Sequence, residues 1–357
     1  MKILNVINGL GIGGAEKLIV EVTPLLVKRG HCVDVLLLNN EPSYLYHELK
    51  SSGCCNIYSL GKSTYNPFYI LKLVWIFHDY DIVHVHLFPS QYFSAIASFF
   101  CLKRVKLLFT EHNTTNRRMD DKRFYWIEKA IYSRYSRVIC ITNKVKLALK
   151  SKLNLNDNKL VVIENGVNLV NVKSSTSALR KDFNFREEDK LLIMVAGFRP
   201  QKDQDTLIKV LNKLPNNYKL LLVGDGERRK QLEQLVYSLD LVERVSFLGI
   251  RSDVYSLMKM SDIAILSSHW EGFGLVAVEA MASGIPLIAS NVDGLAQVVE
   301  GGGLLFEKGN VDDLEGQIVS LEKKVLYNQV IDSCLEKSKL YDINNMVDKL
   351  ISIYKEI

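Results

Sequence analysis

Short apolar runs rich in β-branched residues alternate with helix-length amphipathic segments along the 357 residues. In the first half, such runs predict strands over 2–7, 33–38, 82–86, 106–110, 137–141 and 160–163. They are continuous rather than alternating, the pattern of parallel strands covered on both faces. Between the first two, 15–29 carries Leu18, Ile19, Val22, Leu25 and Leu26 at a 3.6-residue period, and Gly30 supplies a stop. The second half repeats the scheme, with strands predicted over 191–196, 219–223, 245–248, 263–266, 286–289 and 303–306, and helices over 205–214, 229–239, 254–260, 275–282 and 295–300. Hairpin signals are few, so right-handed β-α-β crossovers are expected. The fold class is α/β: two Rossmann-like doubly wound domains facing across a cleft. The stretch 165–190, rich in Ser, Asn and Thr, should carry the linker, and 342–357 has the pattern of a final amphipathic helix. A ligand is expected at the carboxyl ends of the strands.

Composition adds limits. Hydrophobic residues at 48% and charged residues at 24% describe a globular chain, without an internal repeat. The N-terminal run reads as a first strand rather than a secretion signal. The apolar stretch 95–102 is too short to span a bilayer and is followed by Lys103 and Arg104. None of the six cysteines (32, 54, 55, 101, 140, 334) forms a C-x-x-C pair, which argues against zinc and thioredoxin-like chemistry. Most lie in or beside apolar strands, the pattern of reduced core cysteine in a cytoplasmic protein. Charge is uneven. Residues 1–169 hold 22 Lys and Arg against 13 Asp and Glu, so that half carries +9 and the remainder −4 of the overall +5. The excess concentrates between 103 and 152, where Arg117, Arg118, Lys122, Arg123, Arg134 and Arg137 interleave with Phe124, Tyr125, Trp126, Tyr132 and Tyr135. That mixture suits an anionic membrane surface, reached peripherally from the cytoplasmic side, or a diphosphate-bearing partner. Nucleic acid is not an expected partner.

Gly9, Gly11 and Gly14 in "INGLGIGGAE" spell G-x-G-x-x-G after a predicted strand. A dinucleotide site also needs an acid at the end of the second strand, and that strand ends in Asn39 and Asn40, with Asp34 at its start. Gly13 and Gly14 remain a place where a ligand can approach backbone amides at a helix start.

The segment most informative for chemistry is "SSHWEGFGLVAVEAMASG", 267–284. A strand runs into a turn holding Glu271, and a helix then carries Glu279. Between them, the amides of Gly274, Leu275 and Val276 are unsatisfied at the helix start and can hold phosphate. The two carboxylates can accept hydrogen bonds from sugar hydroxyls on either side. Other predicted strands end in comparable places: "GFRPQKD" with Arg199 and Lys202, which can neutralise a departing diphosphate; "VGDGE" with Gly224; and "LGIRSD" with Gly249 and Arg251.

In these motifs the sequence resembles the retaining glycosyltransferases of family 4, which have the GT-B fold. The resemblance rests on the E-x7-E spacing of Glu271 and Glu279, with "GGAE" at 13–16, "DIVHVH" at 81–86, "EHN" at 111–113, "NGV" at 165–167, "GFRPQKD" and "VGDGE" in support. It implies an acceptor-binding domain over 1–168, with 342–357 packing back on it, and a donor-binding domain over 169–341. It implies that Arg199 and Lys202 hold a donor diphosphate, Glu271 contacts the transferred sugar, and Glu279 the ribose. Residues 274–276 would bind phosphate, His112 would approach the sugar, and Gly13–Gly14 would line the acceptor side. The implied donor is a nucleotide sugar, a UDP-sugar by preference. The implied acceptor is a glycan or a polyprenyl-diphosphate-linked oligosaccharide of surface-polysaccharide assembly. No Asp-x-Asp motif ends a predicted strand, so a metal is not expected. His84 reads as a core residue. One departure is "DGLAQVV", where Asp293 and Gln297 stand in place of a proline–glutamate step. Alternatives are a sugar-nucleotide epimerase on the same fold and a nicotinamide-dependent oxidoreductase.

Overall fold

The computed structural model describes residues 1–101, 105–113 and 117–357, without the Arg117 side chain. The chain divides into two units: Met1–Gly166 with Ile343–Ile357, and Val167–Asp342.

The first unit is a seven-stranded parallel sheet. Its strands are β1 (Lys2–Ile7), β2 (Cys32–Leu37), β3 (Ile57–Ser59), β4 (Ile82–His86), β5 (Lys106–Glu111), β6 (Arg137–Cys140) and β7 (Leu160–Val162), in the order β3-β2-β1-β4-β5-β6-β7. Helices α1 (Gly14–Lys28), α2 (Tyr44–Ser52), α3 (Tyr69–Phe77), α4 (Ser90–Phe100), α5 (Arg117–Asp120), α6 (Tyr125–Arg134) and α7 (Asn143–Leu153) connect them. The central strands are buried on both faces, with Ile3, Leu4, Val6, Val83 and Val85 essentially inaccessible. This is why they read as unbroken apolar runs. The three-residue edge strand β3 is half-buried to exposed and carries no such run; it is the strand the hydrophobic pattern does not predict.

The second unit is a six-stranded parallel sheet of β8 (Lys190–Val195), β9 (Tyr218–Val223), β10 (Val245–Gly249), β11 (Ile263–Leu266), β12 (Leu287–Ser290) and β13 (Leu304–Phe306), in the order β10-β9-β8-β11-β12-β13. Its helices are α8 (Leu169–Ser174), α9 (Gln204–Lys213), α10 (Arg229–Ser238), α11 (Val254–Met260), α12 (Leu275–Ala282), α13 (Leu295–Val299), α14 (Val311–Ser320) and α15 (Lys324–Lys339). The polar stretch 165–190 is more structured than a linker: it holds α8 and the 3-10 turn Arg180–Phe183. Arg180 clamps the Asp262 carboxylate at 2.9 Å. Both units are therefore Rossmann-like and doubly wound. The strand order reverses between β1 and β4 in one and between β8 and β11 in the other. Such switch points leave a crevice beyond the carboxyl ends of the two strands.

The last helix, α16 (Ile343–Glu356), belongs to the first unit. It buries Ile343, Met346, Val347, Leu350, Ile353 and Tyr354, and Asp348 pairs with Arg29. The Tyr354 hydroxyl meets His84 Nδ1 at 2.7 Å, while His84 Nε2 meets Thr110 Oγ1 at 2.7 Å. With both ring nitrogens satisfied and 2% exposure, His84 is a core residue. The cysteines depart from expectation. Cys140 and Cys334 are buried, Cys54, Cys55 and Cys101 are half-buried, and Cys32 is exposed; the first residue of β2 lies at a sheet rim, where apolar neighbours in sequence do not imply burial.

Tyr354→Phe should destabilise the first unit by about 1–3 kcal/mol, the cost of leaving a buried polar atom without its partner. Urea unfolding followed by circular dichroism measures this; an unchanged midpoint would show that the His84 contact contributes nothing.

Candidate active site

In the second unit the loops following β8 and β11 are joined at the switch point. The Ser267 hydroxyl donates to the Asp203 carbonyl at 2.7 Å, and the His269 amide donates to the Gln201 carbonyl at 2.7 Å. Between them the Lys202 ammonium forms an ion pair with the Glu271 carboxylate. The Ser268 hydroxyl donates to the same Glu271 oxygen at 3.0 Å. Lys202 closes the 3-10 turn Pro200–Lys202, whose start is fixed by a proline ring. Arg199 precedes that turn, is exposed, and has no carboxylate partner among the described residues.

After Glu271 the chain turns through Gly272–Gly274 into α12. Gly274 lies in the left-handed region (φ +83°), and no side chain caps the helix among the described residues. The first amides of α12 are thus left for a ligand or water. The helix is apolar except for Glu279, which is 2% exposed. The Tyr255 hydroxyl donates to Glu279 at 3.4 Å. Gly294, which begins α13, holds the turn from behind: at its φ of +85° a side chain would be strained, and a Cβ would overlap the Glu271 carbonyl oxygen. The "DGLAQVV" departure therefore keeps the backbone approach that positions Glu271.

The other post-strand loops are less alike. Gly224 follows β9 and bonds to the Gly249 carbonyl at 2.7 Å. Arg251 follows β10 and is bound bidentately by Asp253 at 2.8 and 2.6 Å. The structure brings Lys202, Glu271 and residues 274–276 onto adjoining turns, and spends Arg251 on its own loop.

In the first unit, Gly13 is the extended residue preceding α1, and Gly14 begins the helix. Asn39 fills the position where a dinucleotide site would place an acid. It lies against Gly9 and donates to Thr64 Oγ1 at 3.1 Å. Asp34 accepts from Tyr80 and from Asn56, a structural role. His86 closes β4 and His112 follows β5. His86 Nδ1 and His112 Nε2 are 3.2 Å apart. Burial holds both rings well below the ordinary histidine range, His112 at about 4, so both are neutral near pH 7 and one N–H lies between them. If His112 supplied it, the His86 proton would sit on Nε2, which is buried and meets no acceptor among the described residues. An orphaned buried N–H is the rarer and costlier arrangement. His86 therefore donates from Nδ1, and His112 is the Nδ1–H tautomer, an assignment that follows from the network. Glu111, immediately before His112, accepts from the Tyr132 hydroxyl and the Asn113 amide, so the loop carrying His112 is tied to α6.

Comparison with known proteins adds the family context. Residues 12–171 match the family described as glycosyltransferase family 4, and residues 175–332 match glycosyl transferases group 1. The N-acetyl-alpha-D-glucosaminyl L-malate synthase of Bacillus anthracis is 28% identical over 336 residues, covering 87% of this chain and 85% of its own. Among solved structures, Anabaena HepE in complex with UDP-glucose superposes with a TM-score of 0.88 over 100% of both chains, at 24% identity. The chain is a glycosyltransferase of the GT-B fold. A third relative of this transferase is the UDP-Gal:alpha-D-GlcNAc-diphosphoundecaprenol alpha-1,3-galactosyltransferase of Escherichia coli, 28% identical over 292 residues and covering 77% of this chain and 75% of its own.

Sequence reasoning singled out Lys202, Glu271 and Glu279 but missed Ser268, Tyr255 and the partnership of His86 with His112. Ser268 lies three residues before Glu271, which is a local signal; Tyr255 is 24 residues from Glu279 and left none.

Nitrogen-15 NMR should show the His112 proton on Nδ1 from pH 6 to 8, with the preference lost in His86→Phe; a proton on Nε2 in the parent protein would refute the assignment. The depressed histidines also set a stability trend. Between about pH 6.5 and pH 4 the unfolded state binds protons that folded His84 and His112, held at about 3 and about 4, do not. Stability of the first unit should therefore fall as pH falls through that window, as urea midpoints at stepped pH would record.

Proposed function

We propose that the transferase moves a hexosyl group from a UDP-sugar to a hydroxyl of a glycan or polyprenyl-diphosphate-linked acceptor, with retention at the anomeric carbon, in surface-polysaccharide assembly. The observation that carries the donor assignment is the Lys202–Glu271 pair at the β8–β11 switch point, beside exposed Arg199 and the uncapped start of α12. Three kinds of positive potential — a lysine, an arginine and a row of peptide amides — converge within one unit on adjoining turns, as a diphosphate requires. The named substrates of the Escherichia coli relative and the ligand of the Anabaena structure support UDP and a lipid-diphosphate acceptor.

In this reading the C1–O bond to the leaving phosphate breaks as an oxocarbenium-like sugar forms, and the acceptor oxygen attacks on the same face. The acceptor proton passes to the departing phosphate oxygen. Negative charge grows on that phosphate, and Arg199, Lys202 and the amides of residues 274–276 stabilise it without rearranging. Glu271 holds the sugar hydroxyls, Glu279 the ribose, and Gly224 lines the nucleotide. His112 donates from Nδ1 to the sugar, and Gly13–Gly14 serve the acceptor side. Cationic side chains take the role a metal would have, so EDTA should leave turnover intact.

Arg199→Ala and Lys202→Ala should each slow turnover roughly 100- to 1000-fold, about 2.7–4 kcal/mol in the barrier. Mass detection of released nucleotide and of product across UDP-, GDP- and ADP-sugars measures the rates and separates transfer from epimerisation. Full rate in both variants would sink the phosphate assignment.

A further inference from the structure

The first unit presents an apolar face that the transfer reaction does not use. Helix α4 packs against both α3 and α6, and on these helices the large apolar side chains point outward in unusual number. Trp75 is 80% exposed, Trp126 73%, and Phe68, at the entry to α3, 72%. Leu71, Phe99, Phe100 and Ile127 are also exposed. Scattered exposed apolar residues are ordinary; a cluster of seven, two of them tryptophans, on neighbouring helices marks an interaction surface. A groove of about 340 Å³ lined by Tyr65, Phe88, Tyr92, Ile96 and Phe124 shares Ile127 with this face.

The charges on the same helices identify the occupant. The three helices carry Lys72, Lys129, Arg134 and one acid, Glu128. Glu128 is buried and bound by Arg118 and by Tyr92. Each cation lies over an aromatic ring: Arg134 over Phe99 at 4.1 Å, Lys129 over Trp126 at 5.7 Å, and Lys72 over Tyr69 at 5.8 Å. Flanking acids Asp120 and Asp121 are paired with Lys152 and Arg123, while Asp79 lies exposed past the end of α3. A protein partner needs a mixed rim; aromatic rings bordered by cations match the headgroup layer of an anionic bilayer, where tryptophan partitions and each nearby lysine or arginine adds attraction. Helix α3 has nine residues and α4 eleven, and no helix among the described residues is long and apolar enough to cross a membrane, so contact is in the plane of the surface.

We propose that the face formed by Phe68, Leu71, Trp75, Phe99, Phe100 and Trp126 inserts into the headgroup region of an anionic lipid bilayer. Five of these six anchors lie on α4, on α3 or at its entry, outside the basic 103–152 stretch that the sequence marks, and Trp126 on α6 lies within it. Lys103 and Arg104, the first charges of that stretch, lie outside the described residues. The inference stands apart from the donor-site assignment, because vesicle binding is read without substrate.

Flotation of the full chain with vesicles tests it, using phosphatidylcholine alone against equal parts phosphatidylcholine and phosphatidylglycerol. Binding should require the anionic lipid and weaken with salt. The double variant Trp75→Ser, Trp126→Ser should lose roughly tenfold or more in partitioning. Donor hydrolysis in solution should stay unchanged, which also reports that the variant folds. A milder variant, Trp75→Phe with Trp126→Phe, should retain most binding. Equal flotation on neutral vesicles, unchanged flotation of the serine variant, or a lipid-free dimer that the serine variant dissociates would each overturn the proposal.

Discussion

The geometry of the proposed donor site depends on backbone packed directly on backbone. A Cβ at Gly224 would overlap the Ala196 carbonyl oxygen, and its φ of +134° lies where other residues are strained. That contact lets the loop after β9 lie flat on the loop after β8, and Gly294 does the same for the loop after β11. With the Ser267 and His269 hydrogen bonds that join the loops after β8 and β11, these contacts hold four turns as one surface rather than as independent loops. Rigid placement matters because preorganised charge acts only where it does not have to move to the transition state. Parallel topology supplies the rest: every one of these turns follows a strand in the same direction, so their helix starts and strand ends share one edge.

Charge within that surface is partly committed. Arg251 and Arg228 are each gripped by a carboxylate through two hydrogen bonds, a geometry that costs much to break. Lys202 instead shares one carboxylate with Ser268, and the Lys202 and Glu271 side chains keep 20% and 11% of their exposure. A pair of that kind is worth little net stability, yet it keeps two opposite charges ready for a ligand that offers a phosphate to one and hydroxyls to the other. Such an exchange leaves neither charge orphaned.

How much of this could be read from the residues follows from range. Parallel strands buried on both faces announce themselves as apolar runs, and nine of the thirteen strands among the described residues share at least one end with a predicted run, while Cys32–Leu37, Lys190–Val195 and Leu287–Ser290 match with both ends shifted by one. β3 does not, because an edge strand of three half-exposed residues has no pattern to show. The Glu271–Glu279 spacing was legible because turn and helix are contiguous. Burial of Glu279 was not, since it arises where α12 packs among other elements, with Tyr255 of α11 meeting its carboxylate. The same holds for His86, whose partner lies 26 residues away. The outward direction of Trp75 has no local signal either, because the side of α3 that meets α4 is set by tertiary packing.

The two units also divide the electrostatic work in a way that follows from their surroundings. His84, His86 and His112 of the first unit are buried among apolar strands and one another, so protonating them is opposed by desolvation, reinforced at His84 and His86 by the neighbouring rings. They can donate and accept hydrogen bonds but carry no charge near neutral pH. In the second unit Lys202 is half-buried and Arg199 exposed, and both bring cationic side chains to adjoining turns. Under the proposed reaction this is the useful arrangement. Positive charge is needed where the phosphate departs, whereas a cation beside an oxocarbenium-like sugar would raise the barrier. A neutral imidazole with its proton fixed on Nδ1 can orient the sugar without that penalty, and the His86–His112 contact is what keeps it in that form.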